Sequence, residues 1–170
     1  MKQILFEIPI WKGLINCQKI ELISKDFRES FESQVITSFN GTNLVSNEGK
    51  NYLFNNFIQL LSQDLTVKKI CNFRIWRNIY KNSFQDKHNH AHHHFTFIIY
   101  EKIKKPQTVF FHPAIDLINA SGAQDYFKST YELEAEKNTI FIFPGYLDHM
   151  VRLTEDGMSI SGNFNVKVGF

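Results

Sequence analysis

This sequence has few cysteines and almost no excess of charge of either sign. Two cysteines, Cys17 and Cys71, occur in 170 residues, which is too few for the disulfide framework of a small secreted domain and predicts reduced thiols. The net charge is only +2, with both signs mixed along the chain, so nothing indicates a nucleic-acid groove or a membrane-binding face. The sequence has neither a membrane-spanning apolar run nor the apolar region and cleavage site of a signal peptide. We therefore expect a cytoplasmic protein.

Proline is scarce as well, with 4 residues, whereas phenylalanine occurs 17 times and isoleucine, valine and threonine are frequent. Aromatic and β-branched side chains suit the half-buried surfaces of β-sheets, and proline interrupts them. A chain of this length can bury one sizeable hydrophobic core. The composition therefore favours one β-rich domain.

The first part of the chain, up to about residue 65, has mostly helical periodicity. After a short strand-like segment at residues 4–10, apolar residues recur near helical spacing over residues 16–31 and more clearly over residues 50–65. The connection between these two segments contains Asn40-Gly41, which is a strong turn signal. These patterns predict N-terminal helices that pack on the outside of a β unit.

Beyond Cys71 the pattern changes to short strands separated by polar turns. The strand-like segments are CNFRIWRNIY, HFTFIIYEKI, TVFFH, STYELEAE, TIFIF, HMVRL and MSISGNFNVKV. Turn-prone stretches such as NSFQDK and TEDG separate them. This series of short strands predicts a sandwich or jelly roll rather than a parallel sheet.

The segment KHNHAHHHF, residues 87–95, holds five of the seven histidines of the chain. His88 and His90 are two positions apart, so in an extended segment both imidazoles project to the same side and can approach one metal ion. A third ligand is needed, and the best candidate is His149, which follows a buried apolar strand and a Pro-Gly turn. Strands that are distant in sequence lie side by side in a jelly roll, so His149 can meet the other two.

Three imidazoles are suitable ligands for Fe(II), and equally for Zn, Cu or Ni. The nearest carboxylates are Asp86 and Asp148, and Asp148 is expected to point away because it is adjacent to His149 in an extended segment. We therefore expect three neutral ligands. The histidines within residues 92–94 are expected to be exposed or to face a substrate. The alternative is a solvated histidine-rich loop without a specific metal site.

The order of segments around these histidines resembles a known family. RNIYKNSFQDKHNH, FIIYEKI, TVFFHP, NTIFIFPGYLDHMV and MSISGNFN are together similar to the 2-oxoglutarate/Fe(II)-dependent oxygenases of the prolyl-hydroxylase-like type found in phages and marine bacteria. The resemblance covers nearly the whole chain, and its most specific parts are IFIFPGYLDHMV and SISGNF. It implies a double-stranded β-helix that binds Fe(II) and 2-oxoglutarate, activates O₂ and hydroxylates a C–H bond of a second substrate.

The resemblance also assigns roles to individual residues. His88 and His90 fall on the proximal metal motif of the family, and His149 falls on its distal histidine. Asn78 and Tyr80 match the Asn-x-Tyr pair that contacts 2-oxoglutarate in related enzymes. The implied domain organisation is one double-stranded β-helix domain over residues 1–170, with an N-terminal strand and helices up to residue 68 and a jelly-roll core over residues 69–170.

The sequence departs from the family in its Arg-x-Ser motif. Ser159 matches the serine, but the arginine that pairs with the distal carboxylate of 2-oxoglutarate is replaced by Gly157. A buried carboxylate without a partner costs on the order of 3–5 kcal/mol, so either another cation replaces the arginine or the protein does not bind 2-oxoglutarate in the usual way. Arg152 is the nearest substitute, since it is expected on the preceding strand across the TEDG turn, and an arginine can bind a carboxylate in a bidentate manner. Three further cations are weaker candidates for the same role: Arg74, Arg77 and Lys102.

The sequence therefore predicts a non-haem Fe(II) and 2-oxoglutarate-dependent oxygenase that hydroxylates an unknown small-molecule or peptide substrate. Two alternatives stay open. One is a cupin-like metal dioxygenase with three histidine ligands that does not use 2-oxoglutarate, which the missing arginine favours. The other is a catalytically inactive jelly-roll binding module. The oligomeric state is also open, and a homodimer is compatible with the sequence.

Overall fold

A computed structural model describes residues 7–30, 33–104 and 108–169. The strands in these residues are Trp11–Leu14 (β1), Leu22–Ser24 (β2), Arg28–Ser30 (β3), Ser33–Thr37 (β4), Asn43–Val45 (β5), Val67–His88 (β6), Phe95–Lys102 (β7), Thr108–Phe111 (β8), Thr130–Glu132 (β9), Thr139–Pro144 (β10) and His149–Val168 (β11). The helices are Asn47–Leu61 (α1) and Ile115–Ala120 (α2), and 3₁₀ turns occur at Cys17–Ile20 and Ala123–Asp125. None of the helices in these ranges is both long and apolar enough to span a bilayer.

Two long strands, β6 and β11, organise the fold. They pair antiparallel along their lengths, from His149 opposite His88 to Val168 opposite Val67. The start of β11 also pairs with β8, whereas its later part pairs with β7. Register shifts interrupt the β6–β11 pairing between Val151 and Thr154, and such bulges bend strands. Each long strand therefore leaves one layer of the jelly roll and enters the other.

Nine strands of the described residues are connected in one sheet, of which seven follow the order β1-β10-β7-β11-β6-β4-β3, here called the larger layer. The other two, here called the smaller layer, are β8, which pairs with the start of β11, and β9, which pairs with β8. Strands β2 and β5 form a separate small sheet. The mainly β fold with an outer N-terminal helix confirms the fold class expected from the sequence. Closing the core between two layers leaves space at the junction of β6, β8 and β11, where the histidines lie.

Helix α1 covers the outer face of the larger layer. Ser46 caps its first turn, because the Ser46 hydroxyl oxygen accepts a hydrogen bond from the Gly49 N–H at 3.0 Å. Leu53, Phe57 and Leu61 are four residues apart and fully buried. The Phe57 ring stacks on Phe164 with 4.8 Å between ring centroids. Burying each of these side chains contributes about 1.5–3 kcal/mol, so tertiary packing holds the helix in place.

The helical prediction was right for residues 50–65 and wrong for residues 16–31. In the described part of residues 16–31, the chain forms a 3₁₀ turn followed by strands β2 and β3. Leu22 is buried whereas Ile23 is 57% exposed, which is the alternation of a strand. These strands have three residues each, too few for the period of two to be recognised. The strand expected at residues 4–10 lies partly outside the described residues, and β1 begins at Trp11.

The turns predicted at NSFQDK and TEDG are also wrong. Both stretches lie inside continuous strands, β6 and β11. Their polar residues are compatible with a strand because the chain bends there between layers while its backbone stays paired. Asn82 has a φ of 48°, a left-handed conformation that asparagine tolerates better than most residues, and it marks the bend in β6.

Candidate metal centre

His88, His90 and His149 come together at the junction of the two layers. His88 lies directly opposite His149 in the pairing of β6 with β11, and His90 follows two residues later. The ring centroids are 4.3 Å apart for His88 and His149, 5.1 Å for His88 and His90, and 5.5 Å for His90 and His149. One potential ligand atom from each residue lies within 4.8 Å of the others. Ligand atoms bound to one ion at about 2.1 Å lie roughly 3 Å apart, so small ring rotations would complete a site.

Backbone carbonyls orient two of the three imidazoles. His88 Nδ1 lies 2.7 Å from the carbonyl oxygen of Asp86, and His149 Nδ1 lies 3.0 Å from that of Leu147. Since a carbonyl can only accept, Nδ1 is the donor in each pair, and the lone pair of each ring is on Nε2. Metal-binding histidines commonly donate their second ring N–H in this way, which fixes the tautomer and the ring orientation.

The loop that carries His90 is held against the turn before β11. The His90 N–H donates to the Gly145 carbonyl oxygen at 2.7 Å, and the Gly145 N–H donates to the His94 carbonyl oxygen at 2.9 Å. A Cβ atom on Gly145 would lie 2.2 Å from the carbonyl oxygen of His93 and 2.8 Å from that of His90. Only glycine permits this approach, so the Pro-Gly turn positions His90 relative to His149.

Burial keeps two of these imidazoles, His90 and His149, neutral. The His149 ring lies 5.0 Å from Phe143 and 6.1 Å from Phe110, and burial lowers its pKa well below the usual value. Burial also lowers the pKa of His90 to about 3, assisted by the neighbouring His88 and His93 and by Arg74. Because a metal binds the neutral imidazole, these two residues need not lose a proton on binding near pH 7.

The nearest carboxylates stay out of the cluster, as expected. Asp148 accepts a hydrogen bond from the Asn89 side-chain amide at 2.7 Å and lies 3.8 Å from the Lys87 ammonium group. The contact with Asn89 also ties the two ligand-bearing segments together. The potential ligand cluster formed by the described residues contains three histidines and no carboxylate, so a bound divalent ion would keep its full charge.

The remaining histidines have other surroundings. His94 Nδ1 accepts a hydrogen bond from the Val166 N–H at 3.3 Å. His112 Nδ1 accepts one from the Ala114 N–H at 3.0 Å. His92 is exposed, and His93 is part of the loop that packs on Gly145. None of these residues belongs to the cluster.

An inner pocket extends from the histidines between the two layers. It is lined by residues of β6, β7, β8 and β11, among them Asn78, Tyr80, Tyr100, Lys102, Thr108 and Ser159. The structure thus brings three predicted cosubstrate residues to the same pocket as the histidines. The Asn78 amide donates to the hydroxyl oxygens of Ser161 at 3.1 Å and Ser159 at 3.5 Å.

Two buried phenols add donors to the inner pocket. Tyr100 and Thr108 share a hydrogen bond of 2.6 Å between their hydroxyl oxygens. Burial raises the pKa of Tyr100 to about 12 and also raises that of Tyr80. Both phenols therefore stay protonated at neutral pH and can donate to a bound anion.

The structure does not bring Arg152 to this pocket. Arg152 lies on the outer face of β11, where its side chain is 55% exposed and its guanidinium is 3.6 Å from a carboxylate oxygen of Glu132. Lys102, at the end of β7, lines the pocket instead, together with Gly157. The sequence did contain a signal for this, because Lys102 follows Ile98 and Tyr100 at a spacing of two on a strand.

A second, outer cavity meets the inner pocket at the histidines. The β3–β4 hairpin and β6 form its walls, which include Arg28, Glu29, Thr37, Phe39, Asp86 and Lys87. Its volume is about 480 Å³, against about 20 Å³ for the inner pocket. His88 and His90 line both, so the histidine cluster separates a narrow pocket from an open one.

Comparison with solved structures identifies the fold. The chain is similar to an oxidoreductase of the 2OG-Fe(II) oxygenase family from Burkholderia pseudomallei, with 12% identity, a TM-score of 0.52 and coverage of 82% of this chain and 71% of the other. It is also similar to a prolyl-4-hydroxylase from Pseudomonas putida, with 14% identity, a TM-score of 0.52 and coverage of 82% of this chain and 77% of the other. A third similar structure is HygX from Streptomyces hygroscopicus with nickel and 2-oxoglutarate bound, with 9% identity, a TM-score of 0.53 and coverage of 86% of this chain and 74% of the other. No family model and no curated protein matches the sequence.

The chain therefore has the fold of the 2-oxoglutarate/Fe(II) oxygenases, and the resemblance expected from its sequence is confirmed at the level of the fold.

Proposed function

We propose that the chain is a non-haem Fe(II) oxygenase that uses 2-oxoglutarate to hydroxylate a second substrate. The observation that carries this proposal is the position of the histidine cluster between a narrow pocket and a larger open cavity. A metal at that junction is accessible from both sides. An oxygenase needs this arrangement because cosubstrate and substrate must approach one ion from different directions.

His88, His90 and His149 would hold the ion through neutral nitrogen ligands, which suit Fe(II) and also other first-row metals. When bound, Fe(II) supplies the chemistry that transfers one atom of O₂ to a C–H bond while 2-oxoglutarate takes up the other and is converted to succinate and CO₂. The protein itself orients the reactants. The aromatic rings of Phe110 and Phe143 around His149 exclude water from the inner side of the site.

The inner pocket is the proposed cosubstrate site. Its hydroxyl and amide groups, from Asn78, Tyr80, Tyr100 and Ser159, converge on a space lined on one side by the histidines. Such groups can hydrogen-bond the carboxylate and keto oxygens of a 2-oxo acid. The pocket is narrow, so side chains at its mouth must move to admit a five-carbon acid.

The outer cavity is the proposed site of the second substrate. Phe39 and Trp76 form an edge-to-face pair in its wall with 4.8 Å between ring centroids, and the Arg74 guanidinium lies 4.7 Å above the Phe39 ring. Both acidic and basic side chains line the rest of the wall. This mixed surface suits a polar small molecule or a peptide with apolar parts.

Anaerobic titration tests the proposal directly. The metal-free protein is titrated with Fe(II) and then with 2-oxoglutarate, and the visible charge-transfer band of a 2-oxo acid bound to Fe(II) is followed. We expect one equivalent of Fe(II), a band that requires 2-oxoglutarate, and succinate after O₂ is admitted. His149→Ala should abolish stoichiometric binding, whereas His112→Ala is a matched control outside the cluster. Tight binding of one equivalent by the His149→Ala variant would contradict the ligand assignment.

A cupin-like dioxygenase that does not use 2-oxoglutarate is the second candidate. The absence of a carboxylate from the described cluster and the glycine at position 157 favour it. Stoichiometric Fe(II) binding with no charge-transfer band and no succinate would support this alternative. Failure to bind any divalent metal specifically would instead support an inactive jelly-roll binding module.

A further inference from the structure

The inner pocket contains one formal cation and no carboxylate among its described lining residues. That cation is Lys102, which ends β7 on the same face as Ile98 and Tyr100. With a divalent ion at the histidine cluster, the pocket would have positive charge at two places. One would be the ion, whose charge three histidine ligands would leave uncompensated, and the other is Lys102.

Lys102 lies beside the space that Gly157 leaves open. In the pairing of β7 with β11, Lys102 is opposite Met158, the residue after Gly157. A Cβ atom on Gly157 would be 3.5 Å from the Lys102 carbonyl oxygen, 3.6 Å from the Tyr80 ring and 3.0 Å from the Thr154 methyl group. A large side chain at position 157 would occupy this part of the pocket, whereas glycine leaves it available to the lysine from the neighbouring strand.

The present partner of Lys102 is Asp156. The two form a close ion pair, with side chains 54% and 43% exposed. Asp156 has other cations near it, because Lys81 is its partner on β6 and because Lys104 and Lys81 contribute to lowering its pKa after Lys102 itself. Lys102 can therefore leave Asp156 without stranding that carboxylate, and exposed ion pairs of this kind are weak.

We propose that Lys102 binds the distal carboxylate of a dicarboxylate whose 2-oxo acid end is at the metal, and that it exchanges Asp156 for this ligand. The inference rests on the proposed function. It explains how a chain without an arginine at position 157 can hold a dianion. Movement of the lysine away from Asp156 also changes the mouth of the pocket, which is narrow in the structure.

The ligand class follows from the charges. A monocarboxylate would offset the positive charge of a bound metal ion and leave Lys102 paired with Asp156. A dianion would offset the charge of the ion with one carboxylate and that of Lys102 with the other. The protonated Tyr100 phenol and the Thr108 hydroxyl, which share a 2.6 Å hydrogen bond, line the pocket with Lys102. They provide neutral donors that do not compete with the ligand for the lysine.

Two probes separate the distal carboxylate from the rest of the ligand. 2-Oxoglutarate and 2-oxopentanoate have the same chain length and the same metal-binding end, but only the first has a second carboxylate. Their dissociation constants are measured by the charge-transfer band on the anaerobic Fe(II) protein. We expect Lys102→Met to weaken 2-oxoglutarate about tenfold or more, as for the loss of a charged hydrogen bond, and to leave 2-oxopentanoate unchanged.

Lys104→Met is the matched control, because Lys104 is exposed, lies 3.8 Å from Glu155 and is outside the pocket lining. It should leave both dissociation constants unchanged. Asp156→Asn should tighten 2-oxoglutarate several-fold, since the competing carboxylate is gone. If Asp156→Asn weakens binding as much as Lys102→Met, the aspartate holds the lysine in place and the exchange is refuted.

The outcomes also distinguish this inference from the proposed function. One outcome is that the wild-type protein shows the charge-transfer band with the same dissociation constant for 2-oxoglutarate as Lys102→Met. That result overturns the role of Lys102 and leaves the oxygenase proposal standing. Absence of the band in wild-type protein that binds Fe(II) overturns both the use of 2-oxoglutarate and the role of Lys102. The Fe(II) dissociation constant of each variant is measured first and must equal that of the wild type. A variant that loses the metal has a disturbed histidine cluster, and its affinity for 2-oxoglutarate then says nothing about Lys102.

Discussion

Gly145→Ala should weaken metal binding although residue 145 is not a predicted ligand. The added methyl group would lie 2.2 Å from the His93 carbonyl oxygen, and such contacts are not shorter than about 3.0 Å, so the backbone segments must separate by about 0.8 Å. This displacement acts on the loop whose His90 N–H donates to Gly145. The change is purely steric, because the φ of Gly145 is not among the positive values in the described chain.

The expected loss is about tenfold to a hundredfold in metal affinity, the range found when groups that support metal ligands are removed. Forcing the methyl group into a filled space should also cost about 1–3 kcal/mol of the free energy of unfolding. Calorimetric titration of the metal-free variant with Fe(II) under anaerobic conditions measures the first effect. Chemical denaturation measures the second.

Gly13→Ala is a suitable control for this experiment. Its added methyl group would meet the end of the Leu60 side chain at 2.9 Å, which can rotate away, and it lies on β1 far from the turn. We expect unchanged metal affinity in this variant. Wild-type affinity in Gly145→Ala would refute the conclusion that the turn positions the His90 loop.

Three further predictions concern the histidines and the core. Because the pKa values of His90 and His149 are lowered in the fold, the unfolded chain binds more protons than the folded chain below pH 6.5. The free energy of unfolding of the metal-free protein should therefore fall by about 1.4 kcal/mol per imidazole for each pH unit below that value. Denaturation between pH 7.5 and 5 checks this, and His149→Gln must make the free energy of unfolding depend less steeply on pH. Phe57→Ala should destabilise the protein by about 3–5 kcal/mol, since this ring is fully buried, and an unfolding midpoint close to that of the wild type would contradict the packing described. Asn89→Ala removes the 2.7 Å contact with Asp148 and should raise the dissociation constant for Fe(II) a few-fold, which titration can detect; no change would show that this exposed contact does not hold the two segments together.

The histidine cluster could be anticipated from sequence because its geometry depends on simple rules. An H-x-H pair shares one side of an extended chain, and the apolar strand before His149 indicated where the third imidazole would enter. The resemblance to the oxygenase family, rather than strand alternation, predicted that Asn78, Tyr80 and Ser159 share one site, and all three line the inner pocket. Their chemical roles remain predictions.

Arg152 and Lys102 show where the sequence reasoning was incomplete. Arg152 is close to Gly157 along the chain, but its side chain lies outside the pocket beside Glu132, and the register shifts of β11 between His149 and Thr154 hide this orientation from a simple period of two. Lys102 has the parity of Tyr100 and faces inward, yet its proximity to Gly157 depends on the register of β7 against β11. Pairing between distant strands is a tertiary property that a period of two does not reveal.

The bends of the long strands were missed for a related reason. Polar stretches such as TEDG are typical of turns, and only the continuous pairing of β11 with β6 shows that the strand goes through. Similarly, the short strands β2 and β3 are defined by partners outside their own segments. Local composition cannot distinguish such strands from an imperfect helix.

The β3–β4 hairpin has a consequence for how substrate preference could diverge within this architecture. It lies at one end of the larger layer and is joined to β6 by the pairing of Ile36 with Ile79 and of Thr37 with Asn78. It carries much of the outer cavity wall but none of the three clustered histidines. Substitutions in this hairpin can therefore alter the wall of the proposed substrate cavity while the histidine cluster stays constant, so that under the proposed function specificity could change without rebuilding the candidate metal centre. Thr37 is the exception, because its hydroxyl donates to Asn78 at 2.7 Å and so connects the variable wall to the inner pocket.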